Sequence, residues 1–188
     1  MSVRITGGLV KARKLPTLSG LRVRPTSERV RGAMFSMIGN SAIQGKYILD
    51  LYSGTGALGI EALSRGAEAI TFIDDDLRAV RLIKKNLEAC GVLDGYTILR
   101  NDVQVALNRM SADTLFDIML FDPPYAVSGL DDVLQAGAHH LLPDGILIVE
   151  HSVRRVLKKP SNISIIREVR TGDSVLSFLE AKTGEGKI

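Results

Sequence analysis

From residue 47 onward, short apolar runs alternate with segments of helical periodicity. The runs are YILDLY, AITFID, YTILR, FDIMLF and GILIVE, and the helical segments between them are ALGIEALSRG, DLRAVRLIKKNLEACG, VQVALNRM and LDDVLQAGAHHLL. Nearly continuous apolar strands that alternate with helices are typical of a parallel sheet covered on both faces. Two further apolar runs, ISIIREVR and SVLSFLEA, flank a TGD turn and predict an antiparallel hairpin. We therefore expect an α/β fold with ligands bound beyond the carboxyl ends of the parallel strands.

The first 46 residues follow a different pattern. VRITGG and ARKLP indicate two short strands around a Gly-Gly turn, which together form a β-hairpin. LRVRPT is expected to be extended because Pro25 keeps Arg24 out of the helical region. SERVRGAMFSMI then reads as a helix with one apolar face. We predict an N-terminal extension over residues 1–46 and an α/β domain over residues 47–188.

The charge of the chain is unevenly distributed. Residues 1–46 contain nine Lys or Arg and one acid, so they carry +8, and the remaining residues carry −5 within a total of +3. A basic segment beside an acidic domain favours binding to a polyanion, most often a nucleic acid. The alternative is a solvated basic face without a partner. The candidate contacts with such a partner are Arg4, Lys11, Arg13, Lys14, Arg24 and Arg29.

Several features bear on where the protein acts. The chain contains a single cysteine, Cys90, which rules out an internal disulfide and fits a reducing, cytoplasmic setting. No apolar run reaches the roughly 18 to 20 residues that a membrane span needs. The N-terminus has no apolar segment of the kind found in signal peptides. Because no histidine, cysteine and carboxylate cluster has ligand spacing, we expect no bound metal.

The loop after the first strand of the sheet contains Gly54, Gly56 and Gly59 in the pattern G-x-G-x-x-G. Asp74 and Asp75 follow the second strand, roughly 20 residues later, where dinucleotide-binding folds place the acid that contacts the ribose. A glycine-rich turn that serves packing alone is the other interpretation. The motif by itself therefore predicts a nucleotide or nucleoside ligand.

Asp50 ends the first strand, four residues before Gly54, and changes the expected ligand. A carboxylate there would repel a pyrophosphate and attract a cation, which favours S-adenosylmethionine over NAD. The helix N-terminus after Gly56 can accept the carboxylate of that molecule. A purely structural Asp50, capping the turn, is the alternative. Asp102, after the third strand, either accepts a hydrogen bond from the adenine amine or caps the next helix.

The stretch DPPY, residues 122–125, follows the fourth strand. An exocyclic amine on a nucleobase is a poor nucleophile, and hydrogen-bond acceptors on its hydrogens localise its lone pair. Asp122 supplies one acceptor and the carbonyl of Pro123 a second, while the two prolines hold the backbone fixed. Tyr125 offers a flat face for a flipped base. The alternative is an acid-capped turn with incidental prolines.

Taken together, RITGG, RKLP, RPTSERVRGAMFSMI, LDLYSGTGALGIEALSRGA, FIDDD and FDPPY resemble the RsmD family, the bacterial small-subunit ribosomal RNA guanine-N2 methyltransferases. The resemblance covers residues 4 to 125, and beyond them it is one of pattern. It implies a class I, Rossmann-like methyltransferase fold with a seven-stranded sheet, and S-adenosylmethionine as the methyl donor. It also implies a guanine N2 amine of 16S rRNA as the target, within an assembled or nearly assembled subunit.

The resemblance also implies roles for individual residues. Asp50, Ser53, Gly54 and Gly56 would line the methionine end of the cofactor, Asp74 would hold the ribose and Asp102 the adenine. The DPPY stretch of Asp122, Pro123, Pro124 and Tyr125 would hold the target base, and the N-terminal hairpin would contact RNA. The family usually has Glu where this chain has Asp74, so Asp75 is expected to share the ribose contact. The protein is expected to be monomeric.

Three other functions remain open at this point. An adenine-N6 methyltransferase acting on DNA or RNA would use the DPPY loop in the same way. A non-catalytic RNA-binding assembly protein could keep the fold without turnover. An NAD-dependent oxidoreductase would have no use for Asp50, for DPPY or for a basic arm.

Overall fold

The computed structural model describes residues 2–17, 28–124 and 127–182, and the structural statements that follow concern these ranges. The N-terminal part contains β1 (Ser2–Arg4), β2 (Lys14–Pro16) and α1 (Glu28–Ile38). The alternating part contains β3 (Tyr47–Leu51), α2 (Ala57–Ser64), β4 (Ala69–Asp74), α3 (Leu77–Ala89), β5 (Tyr96–Arg100), α4 (Val103–Arg109), β6 (Phe116–Phe121), α5 (Leu130–Ala138) and β7 (Leu141–Ser152). The final hairpin contains β8 (Ile163–Thr171) and β9 (Ser174–Ala181).

Strands β3 to β9 form one sheet in the order β5-β4-β3-β6-β7-β9-β8. The strands from β3 to β7 pair in parallel, and β9 pairs antiparallel with both β7 and β8. This arrangement confirms the predicted α/β sheet with a terminal antiparallel hairpin. Strands β1 and β2 form a separate antiparallel pair, which confirms the predicted N-terminal hairpin.

One boundary differs from the sequence prediction. Helix α5 ends at Ala138 and β7 begins at Leu141, so the segment predicted as helix contributes the start of a strand. The ring nitrogens of buried His140 lie 3.0 Å from the carbonyl oxygens of Thr114 and Leu107. These contacts hold the chain against the start of β6 and turn it from helix into strand. The predicted extended segment around Pro25 lies outside the described residues.

The sheet buries both of its faces. Ile48, Leu120 and Ile148 belong to a hydrophobic cluster that includes residues of α1, α2 and α3. Leu49 and Met119, which point the opposite way, belong to a second cluster with α4 and α5. The near-continuous apolar strands follow from this double coverage. No helix in the described ranges combines the length and apolarity that a membrane crossing requires.

The N-terminal extension packs onto the α/β part. Val3, Ile5 and Leu15 of the hairpin region are buried in the same hydrophobic cluster as Ile48 of β3. Residues of α1 join that cluster as well. The domain boundary at residue 46 stays a prediction, and the packing predicts that the two parts unfold together.

A buried ion cluster strengthens this attachment. The side chains of Arg31 on α1 and Glu61 on α2 are fully buried and form an ion pair of 2.7 Å. Arg65 also pairs with Glu61 at 2.7 Å, Thr6 donates to it through its amide and hydroxyl, and Arg31 donates to the carbonyl of Arg4. Burial alone would raise the pKa of Glu61, but these hydrogen bonds hold it below its usual value.

The Gly-Gly turn of the hairpin closes over the end of α2. The hydroxyl of Ser64 donates to the carbonyl of Gly7 at 2.7 Å, and the Ser64 carbonyl accepts from the amide of Leu9 at 2.7 Å. Gly8 has a φ of +78°, and a Cβ added there would overlap the Ser64 carbonyl. The turn therefore requires glycine at this position for two separate reasons, backbone conformation and space.

Candidate active site

The candidate site lies where the connections of the sheet change direction. Strand β3 connects through α2 to β4 on one side, and its other neighbour is β6. In doubly wound sheets a crevice opens at this switch point, outside the carboxyl ends of the strands. The segments that follow β3, β4, β5 and β6 all reach this edge. They carry the residues that the sequence predicted for cofactor and base.

The glycine-rich loop joins β3 to α2 through three left-handed residues. Tyr52, Gly54 and Gly56 have φ values of 58°, 54° and 75°. Gly56 is the N-cap of α2, so the amides of the first helical turn face the crevice side of the loop. A Cβ on Gly59 would overlap the ring of Phe72, so this third glycine serves close packing of helix and sheet.

Asp50 is fully buried beneath this loop. Its Oδ2 accepts a hydrogen bond of 2.9 Å from the amide of Gly59, while Oδ1 has no hydrogen-bond partner among the described residues. Burial raises its pKa to about 7, opposed by the Gly59 amide and aided by the charge of Asp74. The Ser53 hydroxyl donates to the Asp50 carbonyl at 2.6 Å and accepts from the amide of Ile73 at 3.0 Å. Both polar side chains thus hold the loop on the sheet, and their contact with a cofactor stays a prediction.

Asp74 ends β4 and is also committed to the loop. Its two carboxylate oxygens accept from the amides of Gly54 at 2.8 Å and Asp76 at 2.9 Å. Burial nevertheless raises its pKa. Asp76 is the N-cap of α3 and pairs with Arg78 at 2.6 Å. Asp75 is exposed. Of the three consecutive acids Asp74, Asp75 and Asp76, it therefore has the carboxylate that can best reach a ligand hydroxyl.

A cavity of about 750 Å³ opens beside these groups. Such a volume suits a nucleoside-sized ligand, since small-molecule sites occupy roughly 300–1,000 Å³. Asp102 lines the cavity and also caps α4 by accepting from the amide of Val105 at 2.9 Å, so the capping role is confirmed and the contact with adenine stays a prediction. Burial and the charges of Asp102 and Asp75 raise the pKa of Tyr52 to about 12. The residues that line the cavity are Tyr52, Asp74, Asp75, Asp76, Arg78, Ala79, Asp102, Val103, Gln104, Pro124, Val127, Ser128, Gly129, Asp132 and Val133.

Asp122 follows β6 on the face of the sheet that α1 covers. Asp50 pairs in register with Leu120, two residues before Asp122, so both acids lie on the same face. Burial, followed by the charges of Glu150 and Asp50, raises the pKa of Asp122 well above its usual range, and Arg31 opposes this. Asp122 therefore lies near other carboxylates, and the positive charge of the buried Arg31 partly offsets their negative charge.

Both prolines of the DPPY stretch line a cavity. Pro123 is buried and Pro124 lines the cavity described above. Both line a second cavity of about 310 Å³, and Tyr125 lies outside the described residues. The residues that line the second cavity are Pro123, Pro124, Val127, Leu130, Glu150, His151, Ser152, Arg154 and Arg155. The described part of the chain contains no group of three or more His, Cys, Asp or Glu side chains placed to hold a metal ion.

The basic residues of the N-terminal extension separate into two kinds. Arg31 is buried in the ion cluster and cannot contact a partner. Arg24 lies outside the described residues. The remaining candidates for RNA contact are exposed, as an electrostatic surface requires, and they are Arg4, Lys11, Arg13, Lys14 and Arg29.

Several residues of the site were not singled out from the sequence. Asn86 donates to the carbonyl of Thr55 at 2.9 Å and so ties α3 to the glycine-rich loop. Tyr52 lies inside the glycine motif and Glu150 ends the apolar run GILIVE just as Asp122 follows FDIMLF, so position offered a signal for both. Arg31 gave none, because a basic residue in a basic segment is expected to be exposed.

Comparison with known proteins identifies relatives along nearly the whole chain. A family model described as conserved hypothetical protein 95 matches residues 3–180. The ribosomal RNA small subunit methyltransferase D of Haemophilus influenzae is 31% identical over 174 residues, which cover 90% of this chain and 89% of that protein. The protein of the same name from Escherichia coli is 30% identical over 173 residues, with 90% and 85% covered.

Solved structures agree with the sequence relatives. The yhhF protein of Escherichia coli superimposes with a TM-score of 0.86 at 26% identity, covering 97% of this chain and 99% of that one. The protein TTHA0928 of Thermus thermophilus gives a TM-score of 0.80 at 26% identity, covering 96% and 99%. The fold is that of the class I methyltransferases, as the sequence resemblance implied.

Proposed function

The chain belongs to the conserved hypothetical protein 95 family, together with the ribosomal RNA small subunit methyltransferase D proteins, and from this membership we propose its reaction. The protein transfers a methyl group from S-adenosylmethionine to the N2 amine of a guanine in small-subunit rRNA. The observation that carries the proposal is the position of Asp122, Pro123 and Pro124. Asp122 directly follows the end of β6, Pro123 lines the second cavity, and Pro124 lines both cavities.

The large cavity suits S-adenosylmethionine. Among the described residues its wall has five carboxylates and one cation, Arg78, which fits a ligand with a sulfonium and an ammonium group better than a pyrophosphate. The buried Asp50, with one oxygen lacking a hydrogen-bond partner among the described residues, adds negative potential beneath the loop. Asp75 would hold the ribose and Asp102 the adenine, while Gly54 and Gly56 would face the methionine end.

The DPPY loop would act on the target amine. Bound S-adenosylmethionine supplies an electrophilic methyl group, whose bond to sulfur breaks as the bond to N2 forms. Asp122 accepts hydrogen bonds from the amine and takes the proton that the amine gives up. A carboxyl group with a raised pKa suits this role, because proton acceptors work best when their pKa lies near the working pH. Pro123 and Pro124 hold the acceptors in place without a conformational search.

The exposed basic residues would bind the RNA backbone, as part of a subunit in assembly. Replacing Lys11, Arg13 and Lys14 by Ala should weaken RNA binding and lower the slope of log affinity against log salt by about 2 to 3. The matched control removes three exposed cations near the other end of the sheet, at Arg167, Arg170 and Lys182. Equal effects of the two triple variants would remove the N-terminal arm from the proposal.

The reaction can be tested on small ribosomal subunits from a strain that lacks the matching methylation. The purified protein and labelled S-adenosylmethionine are added, the RNA is digested, and the labelled nucleoside is identified. We expect N2-methylguanosine. Label in N6-methyladenosine would favour the adenine alternative, and RNA binding without label would favour a non-catalytic assembly protein.

The role of Asp122 can be tested separately. Asp122→Ala should lower kcat by roughly 10²- to 10⁴-fold, the usual range for a group that assists proton transfer. Cofactor and RNA affinity should be retained, because the lesion concerns the reacting amine alone. Asp113→Ala, at an exposed carboxylate outside both cavities, is the matched control. Normal turnover by Asp122→Ala would show that the catalytic assignment is wrong.

A further inference from the structure

A buried carboxylate, that of Glu150, stands beside Asp122. Strands β6 and β7 pair with Phe121 opposite Val149, so Asp122 and Glu150 follow at the same level of adjacent parallel strands. Glu150 is only 7% exposed. Its Oε1 accepts a hydrogen bond of 2.8 Å from the hydroxyl of Ser174 on β9, which fixes the orientation of the carboxylate.

Glu150 also lines the second cavity, together with both prolines of the DPPY stretch. The cavity thus runs from the two prolines that follow Asp122 to a second acceptor. The charge of Glu150 acts on Asp122: after burial, it is the largest cause of the raised pKa of Asp122. Arg154 and Arg155 line the same cavity and bring positive charge near it.

We propose that Glu150 selects guanine as the target base. Its carboxylate accepts a hydrogen bond from the N1–H of guanine, while Asp122 accepts one from the neighbouring N2 amine. The inference rests on the proposed methyltransferase function and names the residue that distinguishes one base from another. Asp122 alone cannot do so, because both guanine and adenine present an exocyclic amine.

The chemistry of the two bases makes Glu150 the discriminating group. Guanine presents two adjacent donors, N1–H and the N2 amine, and ionised carboxylates are acceptors only. Adenine presents its amine beside an unprotonated N1, which is itself an acceptor. A carboxylate facing that nitrogen would be desolvated without a partner, and sites that lose a buried polar partner reject the wrong ligand strongly. Arg155 in the same cavity suits the O6 acceptor of guanine.

The test uses an analogue that keeps the amine but replaces the N1–H donor by an acceptor and lacks O6. Once the methylated position is mapped, small subunits are reconstituted with 2-aminopurine there, which keeps the amine but has an acceptor at N1. The native protein should prefer guanine in kcat/KM by roughly 10- to 100-fold, the value of one hydrogen bond to a charged group. In Glu150→Gln the amide can donate to N1 of 2-aminopurine, so the preference should fall below the native value, and any preference that remains reflects the missing O6.

Controls separate this role from a structural one. Asp144→Asn makes the same chemical change on the same strand at an exposed site with a φ of 61°, which Asn tolerates, and it should keep the native preference. Glu150→Asp retains the charge and should keep the preference for guanine at a lower kcat. The melting temperature and S-adenosylmethionine binding of each variant report on its folding.

The outcomes distinguish the two levels of the proposal. If the native protein forms N2-methylguanosine and Glu150→Gln keeps the native preference, the role of Glu150 is wrong and the proposed function stands. If Glu150→Gln does not fold, loss of the guanine preference in a folded Glu150→Asp would also overturn it. If the native protein forms no N2-methylguanosine, the proposed function and this inference fail together.

Discussion

Replacing Asp50 by Asn should make the ligand-free protein more stable at alkaline pH. The carboxylate is fully buried, and only one of its oxygens, Oδ2, has a hydrogen-bond partner, the Gly59 amide, among the described residues. An amide oxygen can keep that bond, and the neutral side chain removes the cost of a buried charge near Asp74. The native protein retains this costly group because, on the proposed function, it helps to bind a cation.

The magnitude follows from the raised pKa. The pKa of Asp50 is 3.8 in a solvated chain and about 7 in the folded protein, so between these values the native state holds a proton that the unfolded chain releases. The stability from this proton is complete below the ordinary pKa and is lost as the pH rises through about 7, at about 1.4 kcal/mol per pH unit. From pH 5 to pH 8 the native protein should lose about 2.5 kcal/mol relative to Asp50→Asn.

Urea unfolding of both proteins from pH 5 to pH 8 measures this difference directly. Asp74 and Asp122 titrate in both proteins, so their contributions largely cancel in the subtraction. S-adenosylmethionine binding supplies a second measurement, because a bound cation favours the ionised form. Affinity should rise with pH toward 8 in the native protein and rise less in the variant. A stability difference that does not change with pH would refute the reasoning.

Two other substitutions test how the N-terminal extension is held. Gly8→Ala should cost more stability than the roughly 1–2 kcal/mol expected for Gly39→Ala, whose φ is also positive but whose surroundings are open, since the new methyl overlaps Ser64. Equal melting temperatures in the two variants would contradict the proposed docking. Glu61→Gln should destabilise the protein by roughly 3–5 kcal/mol because Arg31 remains buried beside a neutral group, and chemical unfolding measures this loss. The difference from the native protein should shrink as the pH falls from the usual glutamate pKa through the lowered pKa of Glu61, because the unfolded chain takes up this proton before the folded protein does.

The sequence by itself determined the layers of the fold and most of the strand ends, the start of β7 being the exception. Alternation of apolar runs with helical segments requires a sheet buried on both faces, and that requirement is local. For the same reason, Asp50 and Asp122 could be assigned to the crevice edge from the sequence, since each lies at the end of an apolar run. The glycine motif was equally readable, because a left-handed turn needs glycine wherever it occurs.

Only the tertiary structure decided which of these groups are committed to the protein itself. The side chains of Asp74 and Ser53 form hydrogen bonds with backbone groups in and beside the glycine-rich loop. Asp75 is left facing the large cavity. Which side chains form such hydrogen bonds depends on how close the amides of a neighbouring strand lie. The spacing of residues along the sequence does not give that distance.

The same limit explains the residues that the sequence did not reveal. Arg31 is buried because α1 lies over α2, where Glu61 compensates its charge. The proposed role of Glu150 depends on Asp122. That residue lies 28 positions earlier and becomes a neighbour of Glu150 only when β6 pairs with β7. Local hydrophobicity predicts where strands end. The pairing of charges across strands and helices depends instead on how the buried surfaces fit together.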